Sequence, residues 1–318
     1  MSRFSDRADA RRKPGDADGP HPLSDDGLAD PTDDPTGAPP AGVPGTPDHA
    51  SLLADPEGGP ILGTSPPPPD HIVVDLREVH KGFGPKKILT GINLALERGT
   101  SAVVLGGSGT GKSVLTKHVV GLLAPDKGEV WVLGERLDLM NQEQLDRKRT
   151  RLGYLFQGGA LFDSMTVYGN MRFFLDRLTT LDDDEKEDLI MESLEDVNLP
   201  ETRDQYPAEL SGGQKKRIGL ARTLILRPDI ILYDEPTTGL DPVSVRVVSE
   251  LIVKLRDTRG ISSIAITHDL LAAEIITDTA HFLLDGRIVE AGPLAEVRRS
   301  DHPALQEFFT GTEAYGTA

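Results

Sequence analysis

The sequence contains no cysteine. That excludes a disulfide framework and any zinc site built on thiolates, and it suits a reducing compartment. Long hydrophobic runs are also missing. The longest, such as residues 101–105 and 230–233, are strand-length, far short of the ~20 apolar residues that cross a bilayer. The first residues lack the apolar block of a secretory signal. Positive charge is short as well: 34 Lys and Arg stand against 51 Asp and Glu, a formal net charge of −17. Non-specific binding of nucleic acid needs basic surface, so no nucleic-acid partner is expected. If the protein works at a membrane, other chains must supply the spanning helices.

What is present is uneven. Hydrophobic residues make up 37% of 318 positions, enough for a sizeable core in one large domain or two ordinary ones. Residues 1–70 hold 15 of the 24 prolines, ending in Pro66-Pro67-Pro68-Pro69, with 13 acidic and 5 basic residues. Such a segment cannot bury enough apolar surface to offset its ordering entropy, so a disordered, solvated tail is expected. A docking or regulatory arm is the alternative reading.

From Ile72 onward the pattern becomes that of alternating strands and helices. Residues 72–76 read as a strand, residues 92–96 alternate as a half-buried strand does, and residues 102–105 form a continuous run ending at a glycine cluster. Residues 114–123, 183–197 and 215–226 read as helices, and residues 230–233 and 263–266 as buried strands. This order implies an α/β core with a largely parallel sheet.

Gly106-Gly107-Ser108-Gly109-Thr110-Gly111-Lys112-Ser113 fits G-x-x-x-x-G-K-[ST], placed after a strand and before a helix. Glycines let successive N–H groups turn toward phosphate oxygens, and the helix N-terminus adds partial positive charge. Lys112 is expected to neutralise the β- and γ-phosphates of ATP, and Ser113 to ligate Mg²⁺, with Val114 next in the cradle. Asp234 and Glu235 end a buried strand, 122 residues after Lys112. Ligands of open parallel sheets sit at such carboxyl ends. Asp234 is expected to reach Mg²⁺ and Glu235 to polarise the water that attacks the γ-phosphate, the second catalytic group after Lys112.

Leu210-Ser211-Gly212-Gly213-Gln214 resembles the signature sequence of ATP-binding cassette (ABC) ATPases. The other motifs of that family follow in order. Gln157 matches the Q-loop glutamine, Gly239-Leu240-Asp241 the D-loop and His268 the switch histidine. Phe83 matches the aromatic residue that stacks on adenine, a core phenylalanine being the alternative. The resemblance covers about residues 72–311. It implies an α/β P-loop cassette with a RecA-like parallel-sheet core, an antiparallel β subdomain and a helical signature subdomain. The expected boundaries are 71–300 for the cassette, about 158–222 for its helical part and 301–318 for a C-terminal tail. It also implies a homodimer in which Ser211 and Gly213 of one subunit meet the γ-phosphate held by the other. Ser211, Gly212, Gly213, Gln214 and Asp241 are then nucleotide-site residues across the interface, and Gln157 a Mg²⁺ and water ligand.

The spacing of 53 residues from Gln157 to Leu210 leaves no room for a long coiled coil. A transporter motor is therefore favoured over a non-transport ABC ATPase acting on DNA or ribosomes. Residues 156–167 and 302–311 are similar to the MlaF-like ATPases of Mla/Mce lipid transport. That likeness implies an MlaE-like permease, an Mce-domain lipid-binding protein and, in some members, a STAS-domain protein as partners. It also implies a peripheral place on the cytoplasmic face of the inner or plasma membrane. The motor of a polar amino-acid or other small-solute importer is the alternative. Ala160, Leu161, Phe162, Met165 and Val167 are read as an apolar loop that meets the permease, and Phe308 and Phe309 as helping to hold the dimer or a small partner.

Overall fold

The computed structural model describes residues 65–316, with side chains as far as Gly311. The expected tail lies outside these residues except for its last positions, and those are held. Ser65 N donates to Glu129 Oε1 at 3.3 Å, Arg77 Nη1 donates to the Pro66 carbonyl at 2.7 Å, and Ile72 N donates to the Pro69 carbonyl at 2.8 Å. The polyproline stretch is thus the first edge of the domain.

Two sheets carry the fold. Strands β1 (Ile72–Phe83) and β2 (Lys86–Glu97) form an antiparallel hairpin. After β3 (Ser101–Leu105) and helix α1 (Lys112–Val119), β4 (Lys127–Val132) and β5 (Glu135–Arg136) complete an antiparallel sheet in the order β2-β1-β4-β5. Helix α2 (Gln142–Arg149) leads to β6 (Leu152–Leu155), and the helical insertion follows as α3 (Val167–Leu178), α4 (Asp183–Asp196) and α5 (Gly212–Leu224). The chain then runs through β7 (Ile230–Asp234), α6 (Pro242–Arg259), β8 (Ser262–Ile266), α7 (Leu270–Ile276), β9 (Thr279–Leu284) and β10 (Arg287–Gly292), ending in α8 (Leu294–Val297) and α9 (Pro303–Gly316). The second sheet has the order β10-β9-β3-β8-β7-β6, parallel except for β10.

Alternation across the pleat builds one core on each face of this sheet. Val103, Leu105, Ile231, Tyr233 and Ala265 join the core shared with the helices, whereas Ala102, Val104, Ile230, Leu232 and Ile264 join the core shared with the antiparallel sheet. Coverage of both faces explains the unbroken apolar runs in the sequence.

The helical insertion is set by its caps. Asp182 and Glu185 form a capping box at the start of α4, and Thr166 accepts from Gly169 N to start α3. Each such cap stabilises its helix by about 1 kcal/mol. The Thr166 cap also corrects the expectation for Val167. That residue begins α3 and is fully buried with Met171 and Leu175, four residues apart along one helical face. It therefore cannot line a surface loop. The 301–318 segment, expected as a tail, is largely the helix α9, and its Leu305 and Phe309 lie in the main core.

Candidate nucleotide site

Register brings the strand ends level. Val104 pairs with Ile266, Asp234 with Ile266 and Leu155 with Tyr233. Gly106, Gln157, Glu235 and His268, each just beyond the end of its own strand, therefore emerge side by side at the carboxyl edge of the sheet. There they line an open cavity of about 670 Å³, together with Gly107, Ser108, Gly109, Gly111, Lys112, Ser113, Val114 and Asp234. Ile88, Ile266 and Phe308 complete its wall.

The loop over β3 is shaped for phosphate. Helix α1 is the exception among α1–α7: the other six carry a side-chain cap, and α1 does not. Its N-cap is Gly111, at φ +108°, where a Cβ would lie 3.0 Å from both Ile88 Cγ2 and Leu89 Cδ2. No side chain fits there, so the uncapped N–H groups stay open to a ligand in the cavity. Lys112 Nζ donates to the carbonyls of Gly106 and Gly107, each at 2.8 Å, and Thr110 Oγ1 donates to the Gly107 carbonyl at 3.0 Å. Burial lowers the Lys112 pKa, while Glu235 and Asp234 act to raise it. The loop thus presents a desolvated ammonium and a helix N-terminus to one point, the chemistry of a phosphate cradle.

The carboxylates divide the other side. Ser113 Oγ donates to Asp234 Oδ1 at 3.4 Å, and the Tyr154 hydroxyl donates to Asp234 Oδ2 at 3.0 Å. Burial pushes the Tyr154 pKa up to about 12, so it stays a donor. Glu235 Oε2 lies 2.8 Å from His268 Nδ1 and accepts from Thr238 Oγ1 at 2.9 Å. Among the described residues no group of three or more His, Cys, Asp or Glu could hold a metal by itself. The donors beside the cradle are hard oxygens, which suit Mg²⁺, an ion held by one or two carboxylates plus substrate phosphates. The Ser113 hydroxyl and the Asp234 carboxylate are such a set.

Not every expected residue lies here. Thr110 braces the loop without lining the cavity. Phe83 stands at the end of β1, 50% exposed, with Lys81 Nζ 5.8 Å from its ring centre. It is therefore not a core residue. Ser211 caps α5, accepting from Gln214 N at 3.3 Å, while Gln214 Oε1 accepts from Ser211 N at 2.9 Å. The Gln214 side chain thus closes the signature turn, and Gly212 and Gly213 form the first turn of the helix. Asp241 caps α6 through Val243 N and Ser244 N, both at 3.0 Å, and its pKa is lowered by the Ser244 hydroxyl. None of these lines the cavity of its own chain.

Residues 89–238 match the family described as "ABC transporter". The Arabidopsis thaliana chloroplastic protein TRIGALACTOSYLDIACYLGLYCEROL 3 is 38% identical over 76% of this chain and 74% of its own length. The chain belongs to the ABC transporter ATP-binding family. Two other ABC relatives carry different names. The "Probable ribonucleotide transport ATP-binding protein mkl" of Mycobacterium leprae is 37% identical over 76% of this chain and 70% of that protein. The "Intermembrane phospholipid transport system ATP-binding protein MlaF" of Escherichia coli K12 is 35% identical over 75% of this chain and 89% of that protein. Among solved structures, the dimeric post-hydrolysis state of an ATP-binding cassette bound to ADP and Pi matches with a TM-score of 0.64 and 28% identity. That match covers 70% of this chain and 98% of the cassette. This ABC subunit is accordingly an ATP-binding ATPase subunit with the α/β cassette fold. Among its described residues no helix is long and apolar enough to cross a membrane.

Sequence reasoning missed Tyr154, Thr238, Lys216 and the wall residue Ile88, and it gave Phe308 to the dimer or a small partner rather than to the cavity wall. Thr238 follows Glu235 by three residues, a spacing that could have flagged it. The others act through contacts distant in sequence.

Proposed function

We propose that this subunit is the motor of a lipid-transporting ABC complex. It works as a head-to-tail homodimer on the cytoplasmic face of the membrane, docked on a permease. The observation that carries the dimer is the separation of two anion-binding helix starts. The cradle at α1 lies inside the cavity, while Ser211 and Gly213 at α5 lie off it. A second copy turned head to tail brings its Ser211, Gly213 and Asp241 to the open mouth of the first.

The chemistry follows from the residues in place. Lys112 leaves the Gly106 and Gly107 carbonyls for the β- and γ-phosphates of bound ATP, which offer a stronger partner for its charge. Ser113, Asp234 and Gln157 would hold Mg²⁺, which would supply Lewis-acid neutralisation of the phosphate oxygens. Glu235 accepts a proton from the water attacking the γ-phosphorus, while His268 and Thr238 fix its carboxylate. ATP and water yield ADP and phosphate. Phe83, half exposed at the end of β1, is the residue we assign to the adenine face.

Lipid as cargo is supported by the relative MlaF, named for intermembrane phospholipid transport, and by the likeness of residues 156–167 and 302–311 to that group. An MlaE-like permease, an Mce-domain protein and a STAS-domain protein are the corresponding partners. Phe156 at 46% and Phe162 at 37% exposure leave apolar surface beside Gln157 for a permease. The mkl name favours a second reading, transport of a ribonucleotide or another small polar solute. Co-purification with the native permease decides between them. Bound phospholipid and lipid-stimulated ATPase support the first reading. ATPase stimulation by a ribonucleotide or amino acid without lipid overturns it.

A further inference from the structure

Helix α5 does more than present Ser211. Lys216, Gly219 and Arg222 recur three residues apart, which puts them on one helical face. All three meet the loop that follows β6. Lys216 Nζ donates to the Gln157 carbonyl and, at 3.3 Å, to the Glu235 carbonyl. Gly219 lets the loop close on the helix, since a Cβ there would lie 3.1 Å from both the Cα and the carbonyl oxygen of Gly159. Arg222 donates to the Ala160 carbonyl at 2.8 Å and the Gly159 carbonyl at 3.0 Å. Neither cation forms an ion pair among the described residues: the Lys216 charge ends on backbone carbonyls, and that of Arg222 on backbone carbonyls and on the rings of Phe162 and Phe174, 5.8 and 5.4 Å away.

Lys216 is only 7% exposed. Burying an ammonium group is costly, and an apolar side chain of similar length would fill the space without that penalty. What the ammonium adds is a link between two separate elements, the Q-loop and the end of β7. The β7 end needs holding. Glu235 sits at φ +53°, the left-handed region that disfavours side chains other than glycine and costs about 1–3 kcal/mol. Its N–H donates to the Ile266 carbonyl at 2.9 Å, His268 and Thr238 hold its carboxylate, and Lys216 holds its carbonyl. Of these holds, only Lys216 comes from the signature helix.

We infer that Lys216 is a positioning residue for Glu235. Its ammonium ties the backbone of the catalytic carboxylate to that of Gln157, and ties both to the helix that Ser211 begins. Engagement of Ser211 by nucleotide across a dimer is thereby transmitted to Glu235 through one side chain. The inference rests on the role given to Glu235 above.

The test is a double-mutant cycle on the full chain. It uses wild type, Lys216→Met, Lys216→Arg, Glu235→Gln and Lys216→Met with Glu235→Gln. Steady-state and single-turnover ATPase, affinity for a fluorescent non-hydrolysable ATP analogue, and melting temperature are measured for each. Lys216→Met should lower kcat about 10- to 100-fold, the scale of a small misplacement of a catalytic group. Analogue affinity should stay within about threefold, because the phosphate cradle is untouched. Lys216→Arg should recover part of the loss. The double variant should be no slower than Glu235→Gln alone, since both changes act on one group. A merely structural lysine would slow the Glu235→Gln background by the same factor as the wild type, and that result overturns the inference. So does a Lys216→Met kcat within about twofold of wild type while Glu235→Gln is slow. Wild-type turnover by Glu235→Gln itself instead overturns the role of Glu235. If Lys216→Met does not fold, Lys216→Gln, which keeps one donor, takes its place in the cycle with the same criteria.

Discussion

Removing one oxygen from Tyr154 isolates Asp234, the proposed metal ligand, from the rest of the site. The Tyr154 hydroxyl reaches Asp234 Oδ2 at 3.0 Å, with Thr116 Oγ1 3.2 Å away on its other side. In Tyr154→Phe the ring stays packed against Phe156, whose centroid is 4.4 Å away. Thr116 keeps a partner, because its hydroxyl donates to the Ser113 carbonyl at 3.2 Å. The lost interaction is therefore chiefly one hydrogen bond to a carboxylate, worth about 1.5–3 kcal/mol. A donor that orients a ligating carboxylate contributes about 10- to 100-fold to metal affinity. Tyr154→Phe should raise the free Mg²⁺ concentration for half-maximal ATPase by about tenfold. Maximal turnover at saturating Mg²⁺ should stay within about threefold, while stability falls by no more than the about 1.5–3 kcal/mol of that bond, because the ring keeps its packing. The assay is ATPase titrated with Mg²⁺ at fixed ATP, beside thermal denaturation. An unchanged Mg²⁺ midpoint would refute the assignment of Asp234 as the metal ligand steadied by Tyr154.

Three further outcomes follow. His281 is buried with no hydrogen-bond partner for either ring nitrogen among the described residues, and burial lowers its pKa from 6.5 to about 4. Between those values the unfolded chain binds more protons, so stability present above pH 6.5 is lost as pH falls toward 4. The loss at pH 5 is about 2 kcal/mol, and His281→Leu should narrow the gap in melting temperature between pH 7 and pH 5, an unchanged gap counting against it. Lys112→Ala should weaken binding of an ATP analogue at least about tenfold, because a charge-assisted phosphate contact is lost, and equilibrium titration checks this. Deleting residues 1–64 should leave ATPase and melting temperature unchanged, whereas deletion through residue 70 also removes the bonds to Glu129 and Arg77 and should lower melting by a few degrees.

The site was legible where chemistry is local. The glycine-lysine loop and the Asp234-Glu235 pair line one cavity, and in each the residues involved are neighbours in the chain, so their spacing is visible in the sequence. Boundaries were less legible. Helix α5 starts at Gly212, three residues before its expected start, because Ser211 and Gln214 form a capping box that overrides the poor helix propensity of two glycines. Helix α1 ends at Val119, short of the expected residue 123, where Gly121 turns to φ +65°. Tyr154 and Lys216 were invisible for another reason. Tyr154 meets Asp234 across 80 residues, and Lys216 meets Gln157 across 59. The parallel register of β6 and β7 brings Tyr154 to Asp234, and the packing of α5 on β6 brings Lys216 to Gln157.

The central claim is that Glu235 drives ATP hydrolysis in a site completed by a second copy of the chain. Glu235→Gln, incubated with MgATP and followed by analytical ultracentrifugation and a phosphate-release assay, tests it most directly. The account predicts nucleotide-dependent dimers that retain ATP, with turnover at least about 100-fold below wild type, the range of general-base loss. Turnover near wild type, or a monomer at saturating MgATP, would contradict it.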